Sequence, residues 1–435
     1  MSVTRLALRT DWTWHSVKEL QDEGVLLVED GNHGEYRPRP NEFTDDGTAF
    51  LRAADLSDGE VLFSAAGQIN DVALRRIRKG IGKPGDLLFS HKGTVGKLAV
   101  AHQDAPSFVC SPQTTFWRVT DPKRLDRQFL FAYMRAPEFQ RQWTVRKGDT
   151  DMADYVSLTA QRTLLVPLPP LPTQQKIAAI LSAYDDLIEN NNRRIKLLEE
   201  MAQRIYREWF VDFRYPGHER VALVDSKLGP IPEGWEWLPA SEAVLINPTV
   251  VVDRLATRPF VPMTSVSEHG MHITPIELRA GTSGSRFENG DTLFARITPC
   301  LENGKTAYVQ CLREGEIASG STEFIVLRSR RLCPEYVYLL ARDDRFRSHA
   351  MKSMSGATGR QRVRDECFDS FMLAVPTGSA LNSFTGLVRP MFKLSYALFI
   401  VNSMVRATRD ILLPRLISGE IDVTDLAVAM PQAAA

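Results

Sequence analysis

From Ile177 onward the apolar positions of this chain recur in an alternation of four and three residues: Leu181, Tyr184, Ile188, Asn191, Ile195, Leu198, Ala202, Ile205 and Trp209. Between them lie Glu, Asp, Arg, Lys, Gln and Asn, so one narrow stripe is apolar and the rest can be solvated, which is the seam of a heptad coiled coil. Pro172 excludes helix just upstream, Thr173 is a reasonable N-cap, and nothing interrupts the pattern before Pro216-Gly217. At 1.5 Å per residue a helix of about 40 residues is roughly 60 Å long, more than a globular core needs. Such a helix requires a partner. Asn191 on its seam is the kind of polar residue that fixes register or partner at some cost in stability.

A second helix is predicted after Pro376, where Phe384, Leu387, Met391, Leu394, Leu398, Val401, Val405, Thr408 and Leu412 keep the same alternation and Gly419 is the natural stop. Pro390 and Pro414 fall inside it and predict kinks or a late start. Two such helices, each following a globular block, are expected to pair antiparallel and hold the blocks at opposite ends of a rod.

The first block ends near Pro170. Its short runs, Val25 to Val28, Asp86 to Phe89, Leu98 to Ala101, Phe116 to Val119 and Leu164 to Leu168, read as strands, and Arg127 to Val145 reads as a helix with an aromatic core stripe of Phe129, Tyr133, Phe139 and Trp143. After the long helix, a Pro- and Gly-rich passage reads as a linker. The first block then starts again, with Trp235-Glu236-Trp237 answering Trp12-Thr13-Trp14. Phe50 and Phe260 lie 210 residues apart, Asp86 and Asp291 205, Phe129 and Tyr336 207, Pro167 and Pro376 209. Gly96-Lys97 also matches Gly304-Lys305, Ser111 and Phe116 match Ser319 and Phe324, and Gly148-x-Thr150 matches Gly356-x-Thr358. Order and spacing together indicate a duplicated unit. The expected class is α+β: two duplicated mixed α/β domains separated by two long helices that form an antiparallel coiled coil. The boundaries read as 1–170, first domain; 171–215, first helix; 216–232, linker; 233–378, second domain; 379–421, second helix; 422–435, flexible tail.

Composition narrows the function. Lys plus Arg equals Asp plus Glu at 53 each, so any nucleic-acid site is a local patch rather than a global field. The five cysteines form no CxxC pair, which argues against structural zinc and a disulfide framework and fits a reducing, cytoplasmic setting. No export signal and no membrane span are read, since Met391 to Val405 is short and interrupted by polar residues. Gly304-Lys305-Thr306 lacks the earlier glycine of a P-loop, Pro299 standing in its place, and GTVGK at Gly93 to Lys97 lacks its spacing and hydroxyl. The histidines make no metal pair, no GxSxG elbow is present, and Asn247-Pro248-Thr249 lacks the Asn-Pro-Pro-aromatic signature of amino-methyltransferases. No catalytic group is predicted.

Basic residues instead collect in loops that the duplication makes equivalent. The first block has Arg75, Arg76, Arg78 and Lys79, then His91, Lys92 and Lys97 with Thr94 and Gln113 nearby, and Arg146 and Lys147. The second has Arg279, Arg286, Arg296 and Lys305, then Lys352, Arg360, Arg362 and Arg364. Solvated loop charge accounts for any one cluster, but twin clusters suit a protein that meets duplex DNA at two places, with Lys and Arg on phosphates and Arg, Gln, Thr or Asn on base edges.

The VPLPPLPTQQKIAAIL stretch, REWFVDF with PGHE, IPEGWEW, the GDLLF/GDTLF pair and the closing LLPRLISGEIDV resemble the specificity subunit of type I restriction-modification systems. The resemblance spans nearly the whole chain and rests on the ordered set. It implies two target recognition domains reading a split DNA sequence and a subunit with no chemistry or cofactor of its own. It implies as partners two modification subunits that methylate adenine with S-adenosylmethionine, and restriction subunits that bring ATP and magnesium. The second helix departs, because Gln174-x-x-Ile177 has no counterpart near Ser379-Ala380-Leu381-Asn382. Lengthening the first helix is then expected to change the unread spacer and leave both half-sites intact. The competing readings are an enzyme acting alone, and a coiled-coil scaffold or decayed DNA reader.

Overall fold

The computed structural model describes residues 8–57, 59–147, 154–251, 253, 256–281, 283–357 and 361–428. They form two compact units, one of residues up to Leu187 together with those from Met404 onward, the other of Ile188–Ser403.

In the first unit Leu87–Ser90 is buried at every position and lies inside a six-stranded sheet, beside Thr114–Val119 and Leu98–Val100. A five-stranded sheet holds Phe108–Cys110 parallel to Thr48–Leu51 and antiparallel to Ile81–Gly82. Phe139 meets the rings of Trp117 and Phe89 edge-on, at 5.6 and 6.0 Å between centroids, and so locks the helical layer onto the sheet. That layer is two helices, Arg127–Arg135 and Pro137–Thr144, rather than the single one expected. Pro137 forces the preceding Ala136 to an extended ψ of 147° and breaks the run.

The second unit repeats this plan. Val244–Ile246, Phe324–Ser329, Thr292–Ala295 and Thr306–Tyr308 form one sheet, and Ala318–Gly320 runs parallel to Thr257–Val261 and antiparallel to Ser285–Phe287 in the other. Thr13–Ser16 pairs with Leu165–Leu168 as Glu236–Pro239 pairs with Met372–Val375. The repetition reaches single ion pairs. Arg118 Nε and Nη2 each donate to an oxygen of Asp86 at 2.7 Å, and Arg328 does the same to Asp291 at 2.7 Å, with both carboxylates buried. Those arginines lie 210 residues apart, which corrects two of the sequence echoes. Ser321, not Ser319, is the counterpart of Ser111, and Phe116 corresponds to Val326 rather than Phe324. Pro167 faces Trp14 where Ala374 faces Trp237, so Pro376 is likewise two residues out of step.

The first long helix runs Leu171–Phe210. Pro172 and Thr173 sit inside its first turn, where a missing N–H costs no intrahelical bond, so the helix starts earlier than the Thr173 cap predicted. Gln174 fixes that turn by accepting from Asp126 N–H at 2.8 Å and donating to Arg124 O and Pro169 O. The second runs Gly378–Ser418 and passes through Pro390 and Pro414 without ending, so the expected late start is absent. Gly419, at φ 75°, closes it.

In the first unit Ile177, Ala178 and Leu181 share a core with Leu413, Leu416 and Ile417. There burial pushes the Asp185 carboxyl up, but the guanidinium of Arg135 at 2.6 Å and that of Arg409 outweigh it and hold it below its ordinary range. In the second unit Ala202, Tyr206, Trp209 and Phe210 pack with Ala380, Phe384, Val388 and Phe392. In each unit early residues of one helix meet late residues of the other, so the pairing is antiparallel. On the first helix every seam position, Ile177, Leu181, Tyr184, Ile188, Asn191, Ile195, Leu198, Ile205 and Trp209, is buried or half-buried.

On the second helix the seam lies one residue later than predicted. Val388, Phe392, Ser395, Asn402 and Leu413 are buried, while Leu387, Leu394 and Val401 are 44, 50 and 42% exposed, and Met391, Leu398, Val405 and Leu412 are half-buried beside the seam. The cause is chemical, since the true seam contains Ser395, Asn402 and Arg409 and an apolar pattern passes over them. By length and composition this helix could cross a membrane, a property the sequence reading did not assign it. In the structure its buried polar residues face the first helix and its own domain.

Two peripheral segments also differ from expectation. The linker contains a small hairpin, Leu223–Val224 with Ile231–Pro232, and Tyr215 stacks on Trp235 at 5.2 Å. The start of the tail is tied down by Arg9 on Asp422 at 2.6 Å and by burial of Val423.

Candidate nucleic-acid interface

Three loops meet at one place in the first unit. His91 N–H donates to Gln113 O at 2.9 Å, Val156 N–H to His91 O at 2.9 Å, and Gly93 N–H to Asp154 O at 2.9 Å. The second unit repeats all three bonds: Arg296 N–H to Glu323 O at 2.9 Å, Val363 N–H to Arg296 O at 2.8 Å, and Thr298 N–H to Gln361 O at 3.1 Å. Single β-bridges join Lys92 to Tyr155 and Ile297 to Arg362 at the same step. The duplication thus builds two junctions with one backbone plan, and equivalent positions carry different side chains: Lys92 and Ile297, Gln113 and Glu323, Tyr155 and Arg362.

At the first junction Lys92, Thr94 and Gln113 are exposed. Lys92 Nζ stands 5.7 Å from the centre of the Tyr155 ring. Gln113 lies over Gly93, whose φ of 79° keeps that backbone open, and its amide has no hydrogen-bond partner among the described residues. Lys97 is half-buried there. His91, read as one of the basic residues, is buried instead. Its Nδ1 donates to Val156 O at 3.1 Å and burial pulls its pKa down to about 4, so it is neutral at pH 7 and cannot meet a phosphate.

The other predicted contacts divide into exposed cations and cations already engaged. Arg78 is exposed over the Tyr36 ring at 4.8 Å, and Lys79 pairs with buried Asp30. Arg76 donates to Glu42 at 2.8 Å and to Arg37 O at 3.0 Å, and its guanidinium holds the Glu42 carboxyl down at about 2. Arg146 closes the end of Pro137–Thr144 by bonding Gln142 O at 2.8 Å and Thr163 Oγ1 at 2.7 Å, and Lys147 pairs with Asp154. In the second unit Arg286 donates to Val250 O at 2.7 Å and Lys305 to Met263 O at 3.1 Å. Arg296 donates to Val363 O at 2.8 Å and is three-quarters buried, which makes it a strut of its junction. Arg362 is half-exposed and grips Glu323 with Nε at 2.9 Å and Nη2 at 2.6 Å. Arg360 lies outside the described residues, as do Gly148, Thr150 and Thr358.

Sequence reasoning missed Glu323 and Tyr155 because it looked for cations. The signal was present in the duplication, which aligns them with Gln113 and Arg362. Among the described residues no group of three or more His, Cys, Asp or Glu side chains is placed to hold a metal ion.

The architecture defines a class, a duplicated α/β protein whose two domains each present a polar loop junction and whose two long helices pair antiparallel. A family model described as the type I restriction modification DNA specificity domain matches residues 31–200. The EcoEI specificity subunit of Escherichia coli is 34% identical over 161 residues, an alignment that covers 35% of this chain and 27% of that relative. The MjaIX specificity subunit of Methanocaldococcus jannaschii is 21% identical, with 96% of this chain and 95% of the relative aligned. In three dimensions the S subunit of a type I restriction-modification system from M. genitalium superposes with a TM-score of 0.55 at 13% identity, covering 95% of this chain and 98% of that one, which speaks for the fold. Part of the chain thus matches the type I restriction modification DNA specificity domain, and nearly its whole length is similar to the specificity subunit of such a system.

Proposed function

We propose that this chain reads duplex DNA at two half-sites, one per junction, and performs no chemistry itself. The observation that supports this best is the paired junction, in which one set of backbone hydrogen bonds presents different side chains in each unit. That is the arrangement expected of two readers tuned to different bases. The exposed cations Arg78 and Lys92 suit phosphates on the first side, and Arg364 on the second.

The paired helices serve as the scaffold. Two modification subunits dock on them and transfer methyl groups from S-adenosylmethionine to adenine, and restriction subunits, where present, add ATP- and magnesium-dependent translocation and cleavage. We assign no cofactor to this chain and place the complex in the cytoplasm. The exposed apolar row Leu387, Leu394 and Val401 on the second helix is the docking face we favour for a modification subunit. The test is titration of duplex DNA with the purified chain at several salt concentrations, combined with mapping of methylated adenines in cells that carry the system. A split motif and a steep salt dependence are expected, and binding that ignores sequence and salt would overturn the reading.

A further inference from the structure

The exposed side chains at equivalent junction positions differ in a way that bears on which bases each unit reads. Gln113 and Glu323 leave the same kind of turn. The N–H of Gln113 donates to Ser111 Oγ at 3.2 Å and its carbonyl accepts from His91, while the N–H of Glu323 donates to Ser321 Oγ at 3.2 Å and its carbonyl accepts from Arg296. Each side chain therefore springs from backbone fixed on both sides, which is what a base-reading group needs and a phosphate anchor does not. Among the described residues no neighbour hydrogen-bonds the Gln113 amide. Around Glu323 the counterpart of Tyr155 is Arg362, whose guanidinium fork orients the carboxylate before any ligand arrives.

Resting on the DNA-reading function proposed above, we propose that Gln113 is the base-reading side chain of the first unit and the Glu323–Arg362 pair that of the second. A glutamine amide offers one donor and one acceptor side by side and matches the N6 and N7 of adenine. A carboxylate accepts from the amino group of cytosine while an adjacent guanidinium donates to O6 and N7 of guanine, so the pair suits a G·C step. The two half-sites consequently differ in base composition at the positions these groups reach. Cations at the same junctions, Lys92 in the first unit and Arg364 in the second, set the register on phosphates.

The experiment is selection of duplexes from a random pool by the full chain, with sequencing of the bound fraction for the wild type, Gln113→Ala, Glu323→Gln and Arg362→Lys. All three side chains are at least partly exposed, and matched melting temperatures verify that the variants fold. The wild type is expected to enrich two half-sites. Gln113→Ala should lose roughly tenfold or more of the preference at an A·T pair in one half-site and leave the other untouched, and Glu323→Gln and Arg362→Lys should do the converse at a G·C pair. A variant that weakens all sequences equally, or leaves both half-sites unchanged, overturns this assignment while wild-type enrichment leaves the DNA-reading function standing. A wild type that enriches nothing overturns both.

Discussion

Asn191 donates a 2.9 Å hydrogen bond to Oδ1 of Asn402, and both amides are buried between the long helices. Asn402 in turn donates to Asn192 Oδ1 at 2.9 Å, so both ends of the Asn402 amide are engaged across the seam. Replacing Asn402 alone by Leu strands the Asn191 amide and should lower the unfolding free energy by about 1–3 kcal/mol. Replacing both by Leu should recover most of that loss, because two apolar partners of similar size need no hydrogen bond. A double-mutant cycle from urea denaturation measures the coupling, and an Asn402→Leu variant as stable as the wild type would rule the pairing out.

The pair also shows where the sequence was informative. Asn191 stands out because it interrupts an apolar stripe on a helix of otherwise regular heptads. Asn402 does not, since its neighbours Val401 and Ile400 supply a plausible apolar alternative, and the register slips by one. The duplication and the two long helices follow from patterns that burial imposes on many residues at once. The junctions were only half legible, because cations announce themselves by charge whereas their engagement depends on loops that meet only in the fold. Arg76 and Arg146 look as free in the sequence as Arg78 and Lys92, yet the first two are held by Glu42 and by helix-end carbonyls.

Two buried groups in the second unit give stability opposite dependences on pH. Burial raises the Glu199 carboxyl from an ordinary 4.5 to about 7, against the N–H of Met271 and the charge of Arg342. The folded state thus holds that proton more tightly, and the stability it contributes is full below about 4.5 and lost as pH rises through about 7. Burial lowers His272, whose Nε2 lies 2.9 Å from Ser395 Oγ, from 6.5 to about 4, so its contribution is full above 6.5 and lost as pH falls toward 4. Glu199→Gln removes only the first slope. The variant should gain about 1 kcal/mol over the wild type at pH 8 and nothing near pH 4.5, the gain being modest because the Glu199 side chain keeps some contact with solvent. Equal differences at the two pH values would refute the assignment.

Exposed and engaged cations should separate when binding is followed as a function of salt. Lys92→Ala removes a cation that no carboxylate neutralises among the described residues, and should flatten the slope of log Kd against log salt by about one while leaving the melting temperature unchanged. Arg76→Ala leaves Glu42, whose side chain is 8% exposed, without its partner. That variant should melt below the wild type and keep the wild-type salt slope. Fluorescence anisotropy with a labelled duplex, paired with thermal melts, reads both quantities. A reduced slope for Arg76→Ala would mean that this ion pair opens onto DNA.

The second helix keeps a row of apolar side chains that its pairing does not use. Leu387, Leu394 and Val401 recur every seven residues, and Met404 and Ile411, 64 and 63% exposed and seven residues apart, extend the apolar surface from a position three residues further on. A helix with its seam already filled gains nothing from such a row unless a partner covers it. Leu394→Lys combined with Met404→Lys places two charges on that face without disturbing the seam, so unfolding free energy should stay within about 0.5 kcal/mol of the wild type per substitution. Co-purification with the modification subunit should fall at least tenfold, since charge at the centre of an apolar interface is desolvated without compensation. Retained assembly would move the docking face elsewhere on the helices, and a large loss of stability would show that the row is packed within the chain itself.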